Sequence, residues 1–180
     1  MLRLFVALPI PEEVVEQILP VQRGLKGAKW SPRENLHITL RFIGDVDAHQ
    51  GQAIDALLAD IHLPSFEISL RGSGYFGGQT PHAAWLGVAE NPALLALQKK
   101  CERVCRQSGL APDPRSYTPH VTVCYLPRHQ LLEAVAQYQF EHSCFVSDVW
   151  LADRFYLYSS QTHGPGPSRF TIEAEYPLLV

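Results

Sequence analysis

The segment NLHITLRFIG at residues 35–44 alternates polar and apolar side chains, and the segment PHVTV at residues 119–123 repeats its central pattern. Successive side chains of a β-strand point to opposite faces, so each segment predicts a strand with one apolar face and one face that carries a histidine and a threonine. Burial of the apolar face fixes the register of each strand. The sequence therefore predicts two strands that hold an imidazole and a hydroxyl in defined directions.

The rest of the chain predicts helices and strands around these two segments. Strands are predicted at residues 2–8, 36–43, 66–70, 83–89, 121–126, 144–151, 154–158 and 170–176, helices at residues 11–19, 48–61, 93–107 and 131–138, and turns at the glycines of residues 72–78 and at residues 163–167. Each half has the order helix, His-x-Thr strand, helix, strand, and no linker rich in Pro, Gly or Ser separates the halves. We therefore expect one α+β domain over residues 1–180, built from two similar lobes that face each other.

The amino-acid composition favours a globular protein and argues against a disordered or membrane-spanning one. The chain has 180 residues, of which 46% are hydrophobic and 18% charged, so it can bury a core and is not a disordered tail. It has no apolar run of about 20 residues, so we expect no membrane segment. Its net charge of −3 argues against a long nucleic-acid surface, although the basic residues between 23 and 41 could hold one terminal phosphate or simply form a solvated loop. The cysteines (Cys101, Cys105, Cys124 and Cys144) lack zinc-site spacing, which favours a cytoplasmic protein with reduced thiols.

The four polar residues of the two motifs suit acid–base chemistry on a phosphate. An imidazole has a pKa near neutrality, so one of His37 and His120 can accept a proton while the other donates one. The hydroxyls of Thr39 and Thr122 can donate to phosphate oxygens and hold the phosphorus between the two rings. This chemistry requires no metal and no cofactor.

Two other interpretations of the motifs stay open. A buried histidine that bonds to the backbone would explain either motif alone, but it explains both together less well. A zinc ion bound by both histidines is the more specific alternative to the acid–base interpretation, and it needs a third ligand. No His, Cys, Asp or Glu recurs at the same short spacing in both motifs.

At these residues the chain resembles the 2H phosphoesterase superfamily, which is named for two His-x-Thr-x motifs. It looks most like the bacterial and archaeal RNA 2′,3′-cyclic phosphodiesterases, also called 2′-5′ RNA ligases. The resemblance is carried by residues 3–7 (RLFVA), 35–44, 85–88 (WLGV), 119–123 and 157–160 (LYSS). It implies a bilobal, pseudo-two-fold arrangement of two antiparallel sheets flanked by helices, with both motifs lining a central cleft.

The resemblance also implies an activity and the roles of the histidines. The implied reaction is hydrolysis of a terminal RNA 2′,3′-cyclic phosphate to a 2′-phosphate, with weak, reversible 2′-5′ joining in some members. His37 is implied as the proton donor and His120 as the acceptor, an order that the spacing alone leaves open. Relatives often carry an arginine five residues after the second histidine that can contact phosphate. Tyr125 is the candidate at this position, where it can donate one hydrogen bond to phosphate but brings no charge. Arg41 and Arg128 are further candidates for phosphate contact.

Several weaker expectations complete the prediction. Four aromatic residues could stack on a base at an RNA end: Phe5, Phe42, Phe76 and Tyr158. Cys124 has the strand parity of His120, which would bring it to the cleft, but an inert small hydrophobe is the preferred interpretation. We expect a monomer whose partners are RNA 3′ ends or cyclic-phosphate nucleotides. Two other functions stay open: a phosphodiesterase for a small cyclic-phosphate nucleotide, and a non-catalytic module that binds RNA ends.

Overall fold

The computed structural model describes residues 2–162 and 166–179. These residues form ten strands: β1 (Leu2–Pro9), β2 (Lys29–Trp30), β3 (His37–Val46), β4 (Phe66–Ile68), β5 (Leu70–Phe76), β6 (Ala83–Val88), β7 (His120–Tyr125), β8 (Trp150–Ala152), β9 (Arg154–Gln161) and β10 (Arg169–Pro177). They also form four α-helices, α1 (Glu12–Ile18), α2 (Ala48–Ala59), α3 (Pro92–Gln107) and α4 (Leu132–Glu141), and two short 3-10 helices, Leu19–Val21 and Arg33–Asn35. None of the helices in the described ranges is long and apolar enough to cross a bilayer.

Two antiparallel sheets of four strands build the framework. The first sheet has the order β10-β9-β1-β3, the second has the order β2-β7-β6-β5, and β4 pairs with β8 in a small third sheet. The two histidine motifs lie on β3, at the edge of the first sheet, and on β7 of the second sheet. The predicted α+β fold of two antiparallel sheets with flanking helices is confirmed. A single domain over residues 1–180 stays a prediction.

Helix α3 illustrates how local sequence forms this framework. Asn91 caps the helix by accepting a hydrogen bond from the backbone N–H of Leu94 at 2.9 Å, and Pro92 occupies the first helical position. The buried side chains of the helix recur three or four residues apart: Leu94, Leu97, Cys101, Val104 and Cys105. This apolar stripe packs against the core, and α3 lies next to β3.

Three predicted boundaries were wrong. The strand predicted at 36–43 continues through Gly44, whose positive φ of 88° favours glycine, to Val46. The glycine-rich stretch predicted as a turn is largely strand β5. The strand predicted at 144–151 is a regular strand only at Trp150–Ala152, and Val146 pairs with Arg71 in an isolated antiparallel bridge. The Ser147 hydroxyl accepts from the N–H of Leu70 at 2.8 Å. The turn predicted at 163–167 lies partly outside the described residues.

Hydrogen bonds join the segments around the two motifs. The hydroxyl of Tyr117, three residues before His120, donates to the backbone carbonyl of Thr39 at 3.0 Å. The hydroxyl of Ser31, before the first motif, donates to the carbonyl of Thr122 at 2.8 Å. Residues that precede one motif therefore contact the threonine of the other, which brings the two motifs together.

Candidate active site

Strands β3 and β7 have the same pattern of burial around their motifs. Ile38 and Leu40 are buried on β3, as are Val121 and Val123 on β7, and these apolar side chains pack into the core. The histidine and threonine of each motif point the other way and are half-buried. We call the surface that carries His37, Thr39, His120 and Thr122 the cleft face.

A β-bulge follows the threonine in both strands. On β3, Thr39 pairs with Ala7 and Arg41 pairs with Val6, so Leu40 is the extra residue. On β7, Thr122 pairs with Trp85 and Cys124 pairs with Ala84, so Val123 is the extra residue. A bulge shifts the alternation of side chains by one position. For the residues after each threonine, regular alternation along the strand therefore predicts the wrong face.

The two bulges determine where four later side chains point. Arg41 and Cys124, which parity would bring to the cleft face, turn into the interior, where Cys124 is fully buried. Phe42 and Tyr125 return to the cleft face and are exposed, at 37% and 58% respectively. The burial of Cys124 fits its interpretation as a small hydrophobe.

Backbone carbonyls orient both imidazoles in the same way. The Nδ1 of His37 lies 2.7 Å from the carbonyl oxygen of Asn35, and the Nδ1 of His120 lies 2.6 Å from that of Thr118. A carbonyl can only accept, so Nδ1 carries the hydrogen and Nε2 of each neutral ring carries the lone pair. The hydroxyl of Thr39 then donates to Nε2 of His37 at 3.0 Å.

Burial lowers the pKa of both histidines. For His37 the pKa falls to about 4, because burial disfavours the charged ring and the charge of His120 adds to this effect, while the carbonyl of Asn35 opposes it. The pKa of His120 is also lowered by burial, against the opposing effect of the Thr118 carbonyl. Both rings are therefore mainly neutral in the free protein at neutral pH, and they lie near enough for one charge to influence the other.

Aromatic rings surround each histidine. Phe5 lies 5.0 Å from His37 and stacks on Tyr158 at 5.1 Å and on Phe42 at 6.3 Å, centroid to centroid. Phe5 is only 2% exposed, so it supports its neighbours and offers little surface to a base. The outer rings, Phe42 and the half-buried Tyr158, have accessible surface. Of the four predicted aromatics, Phe5 and Tyr158 lie beside His37, Phe42 joins this cluster through Phe5, and Phe76 contacts His120 with centroids 4.8 Å apart.

Two further aromatic residues of the site were missed. Phe170 of β10 meets His37 edge-on at 5.4 Å, and Trp85 of β6 lies 5.9 Å from His120. A Cβ on Gly74 would come within 2.3 Å of the indole of Trp85, so glycine is required under that ring. Trp85 lies in the WLGV segment that carried part of the resemblance, whereas the sequence near Phe170 offered no signal.

Arg41 does not reach the cleft face. Its guanidinium lies in the interior at 8% exposure, where it forms an ion pair with Glu102, donates to the carbonyl of Ala111 at 2.8 Å and lies 3.8 Å from Asp113. Its donors are thus used within the fold, and we leave Arg41 out of the proposed phosphate site. Arg128 is exposed, three residues after Tyr125.

Metal ligands are not clustered in the part of the chain that the structure describes. Within residues 2–162 and 166–179, no group of three or more His, Cys, Asp or Glu side chains is arranged to hold an ion.

Comparison with known proteins identifies the family. The family model of the 2′-5′ RNA ligase superfamily matches residues 10–164. The RNA 2′,3′-cyclic phosphodiesterase of Thermotoga maritima is 30% identical over 179 residues, which cover 92% of this chain and 90% of that protein. The enzyme of the same name from Methanothermobacter thermautotrophicus is 36% identical over 129 residues, covering 67% and 69%.

Solved structures show the same fold. E. coli LigT in its apo form has a TM-score of 0.81 at 24% identity and covers 99% of this chain and 98% of its own. E. coli LigT complexed with 3′-AMP has a TM-score of 0.80 at 25% identity, with 98% of each chain covered. With two His-x-Thr strands on facing sheets and a family match over most of its length, this chain belongs to the 2′-5′ RNA ligase superfamily.

Proposed function

We propose that this protein hydrolyses the terminal 2′,3′-cyclic phosphate of RNA to a 2′-phosphate, with His37 and His120 as a metal-free acid–base pair. The observation that carries the proposal is the repeated geometry of the two motifs. Each half-buried imidazole is held through Nδ1 by the carbonyl two residues before it, and each is followed two residues later by a threonine on the same face. The similarity to enzymes named RNA 2′,3′-cyclic phosphodiesterase supports the same substrate.

In the proposed reaction the two rings act on opposite sides of the phosphorus. Nε2 of neutral His120 takes a proton from water, and the water oxygen bonds to phosphorus. The bond from phosphorus to O3′ breaks, and protonated His37 gives its Nε2 proton to O3′. The products are a 2′-phosphate and a free 3′-hydroxyl, and solvent resets the two protons. Each role typically contributes about 10²- to 10⁴-fold in rate.

Thr39 couples protonation of His37 to phosphate binding. In the free protein its hydroxyl donates to Nε2 of His37. When His37 takes up a proton, Nε2 becomes a donor and can no longer accept that hydrogen bond. The hydroxyl of Thr39 is then released to donate to a non-bridging phosphate oxygen, as Thr122 does from the other strand. The same steps with a 5′-hydroxyl in place of water would give weak 2′-5′ joining, and their reversal would cleave that linkage back to the cyclic phosphate and the 5′-hydroxyl.

The proposed donor must gain its proton when substrate binds. With a pKa of about 4, His37 is neutral in the free protein at neutral pH. The negative charge of a bound cyclic phosphate favours the protonated ring and raises the pKa. Proton uptake by His37 and substrate binding are therefore linked.

This linkage predicts different pH optima for the two kinetic constants. kcat/KM reports the free enzyme, in which both histidine pKa values are lowered, so it should be greatest below pH 6.5. It should fall toward neutrality, because the small fraction of free enzyme with a protonated His37 keeps decreasing above the pKa of about 4. kcat reports the complex, so its optimum should lie at higher pH. Steady-state rates on a nucleoside 2′,3′-cyclic phosphate between acid and neutral pH measure both. A kcat/KM that rises through neutrality would contradict the proposed donor.

A second candidate function is hydrolysis of a small cyclic-phosphate nucleotide. The net charge of −3 and the internal pairing of Arg41 favour a small anion over a long RNA. In either case we propose that the terminal base stacks against Phe42 and Tyr158, the outer rings of the cluster beside His37.

The deciding experiment is incubation with an RNA that ends in a 2′,3′-cyclic phosphate, followed by identification of the product. The proposal expects a 2′-phosphate, formed equally well with and without EDTA. Strong inhibition by EDTA would support the shared-zinc interpretation. Binding of this RNA without turnover of it or of a nucleoside 2′,3′-cyclic phosphate would identify a non-catalytic module.

A further inference from the structure

Two aromatic rings pack against His120 on the cleft face of the second sheet. Strands β6 and β7 pair Gly87 with His120 and Trp85 with Thr122. Directly opposed residues of an antiparallel pair share a face, so Trp85 projects on the cleft face, diagonal to His120. The ring centre of Trp85 lies 5.9 Å from that of His120, and the ring of Phe76 meets His120 edge-on at 4.8 Å. The two aromatic rings also contact each other, at 5.4 Å.

Two glycines leave the space that the indole of Trp85 occupies. A Cβ on Gly74, which lies opposite Trp85 on β5, would come within 2.3 Å of the indole atoms Cζ2 and Cη2. A Cβ on Gly87 would lie 2.7 Å from the backbone carbonyl oxygen of Arg71 and 3.4 Å from Cζ3 of Trp85. A methyl group at Gly74 has no room, so the outer ring of the indole lies directly against the backbone of this glycine.

Packing alone determines where this indole lies. Its Nε1 is buried and has no hydrogen-bond partner within residues 2–162 and 166–179. The height of the ring above the sheet therefore depends on Gly74 beneath it, and a methyl group there would lift the ring. Because side chains in contact are densely packed, the neighbouring rings of Phe76 and His120 would have to shift as well.

The ring of His120 is held by fewer hydrogen bonds than that of His37. Its Nδ1 contacts the carbonyl of Thr118 at 2.6 Å, and in the part of the chain that the structure describes no hydrogen bond reaches its Nε2. In His37 the hydroxyl of Thr39 binds Nε2 in addition to the bond at Nδ1. A proton acceptor needs a free lone pair, so the ring of His120 must be held by contacts that leave Nε2 free. Aromatic contacts meet this requirement.

We propose that Trp85, packed on Gly74, is a positioning residue that holds the imidazole of His120 in place as the proton acceptor. This role rests on the proposed function. The hydrogen bond at Nδ1 leaves the imidazole free to rotate about its bond to Cβ, and the indole and the ring of Phe76 restrict that rotation. The direction of Nε2 is thereby fixed before substrate binds, which is how a catalytic group gains from a rigid support.

The kinetic test is a double-mutant cycle of Gly74→Ala and Trp85→Phe, with kcat and KM measured on a nucleoside 2′,3′-cyclic phosphate. Gly74→Ala should lower kcat by about 10²-fold, the usual effect of moving a catalytic group by about 1 Å. Trp85→Phe should lower kcat by about tenfold through the loss of one aromatic contact. Phenylalanine lacks the outer indole atoms that the methyl group would meet, so the double variant should have the kcat of Trp85→Phe alone. KM should change little in all three.

Gly51 provides the matched control for replacement of a buried glycine. A Cβ on Gly51 would lie 3.7 Å from the side chain of Leu4, which is an ordinary contact, so Gly51→Ala should keep the wild-type kcat. The His120→Ala protein provides a second control. Adding Trp85→Phe to it should lower kcat no further, because the indole acts only through the imidazole.

An NMR titration of His120 tests the same contact without turnover, and its signal is identified as the one missing in His120→Ala. Burial lowers the pKa of His120 in the wild type, so Trp85→Phe, which uncovers the ring, should raise this pKa toward 6.5. Two titratable groups lie nearby in the described residues: His37, whose pKa responds to the charge of His120, and His82, whose ring stacks on Phe76 at 6.4 Å. Trp85→Phe changes neither of them and removes no charge.

Three results would overturn the positioning role. One is a Gly74→Ala protein with the wild-type kcat, and another is a double variant that is slower than Gly74→Ala. The third is a Trp85→Phe protein with a raised KM and an unchanged kcat, which would mean that the indole contacts substrate. If Gly74→Ala does not fold, kcat and the titration of Trp85→Phe decide. A wild type that hydrolyses no cyclic phosphate would overturn the proposed function, whereas an unchanged pKa of His120 in Trp85→Phe would overturn the support of the ring by the indole.

Discussion

Replacement of either His37 or His120 by alanine is expected to lower kcat by about 10²- to 10⁴-fold, because each change removes one of the two proton transfers. The fold should survive both changes. Each ring is only half-buried, and its Nδ1 bonds to a nearby carbonyl of its own chain segment and not to another element. Rates on a nucleoside 2′,3′-cyclic phosphate and thermal unfolding measured on the same samples would check both parts.

His62 offers a matched control for these variants. Its Nδ1 contacts the carbonyl of Asp60, two residues earlier, at 2.8 Å, which is the same local geometry as in both motifs. It is exposed and is followed two residues later by a proline, where each motif has a threonine. His62→Ala should therefore keep full activity. Activity that persists when both motif histidines are replaced would remove the acid–base proposal.

A change of leaving group can distinguish the donor from the acceptor. An aryl phosphodiester with an acidic phenol departs without protonation, so the proposed donor matters less for that substrate. His37→Ala should lose much less activity on the aryl ester than on the cyclic phosphate, whereas His120→Ala should lose activity on both. The opposite pattern would exchange the two roles. The double variant should be little worse than the poorer single variant, because the two residues act as one unit.

The sequence predicted the site because alternation of side chains is a local property. The alternation of residues 35–40 and 119–123 predicts which face of each strand is buried and which is polar. The structure has the same buried and polar faces. The alternation fails one residue after each threonine. A bulge depends on how a strand pairs with its neighbour, which is β1 for β3 and β6 for β7. The sequence of one strand alone does not show this pairing.

Other parts of the site have no repeating pattern of apolar and polar residues from which the sequence could predict them. Strand β2 has two residues, too few to show alternation, so the position of Lys29 beside Tyr125 follows only from tertiary pairing. Phe170 comes to His37 from the far end of the chain through the order of the first sheet. Arg41 looked like a phosphate ligand because it is charged and follows the motif, and only the bulge explains its burial.

Arg41→Met is expected to lower the free energy of unfolding by about 3 kcal/mol, the usual cost of leaving a buried charge without its partner. Arg41 of β3 pairs with Glu102 of α3 and donates to the carbonyl of Ala111, in the loop that leads to the second motif. The change strands the carboxylate of Glu102 and removes a tie between the two halves of the chain. Urea unfolding followed by circular dichroism would measure the loss.

Arg115 provides the control for this prediction, and the KM of the Arg41→Met protein tests whether Arg41 binds substrate. Arg115 also pairs with Asp113, at 2.9 Å, but its side chain is 75% exposed, so Arg115→Met should cost less than about 1 kcal/mol. Adding Glu102→Leu to Arg41→Met should recover part of the lost stability, because no carboxylate is then left unpaired. Where the Arg41→Met protein is still folded, its KM should stay close to that of the wild type. A protein of unchanged stability with a much higher KM would instead mean that Arg41 leaves the interior to bind phosphate.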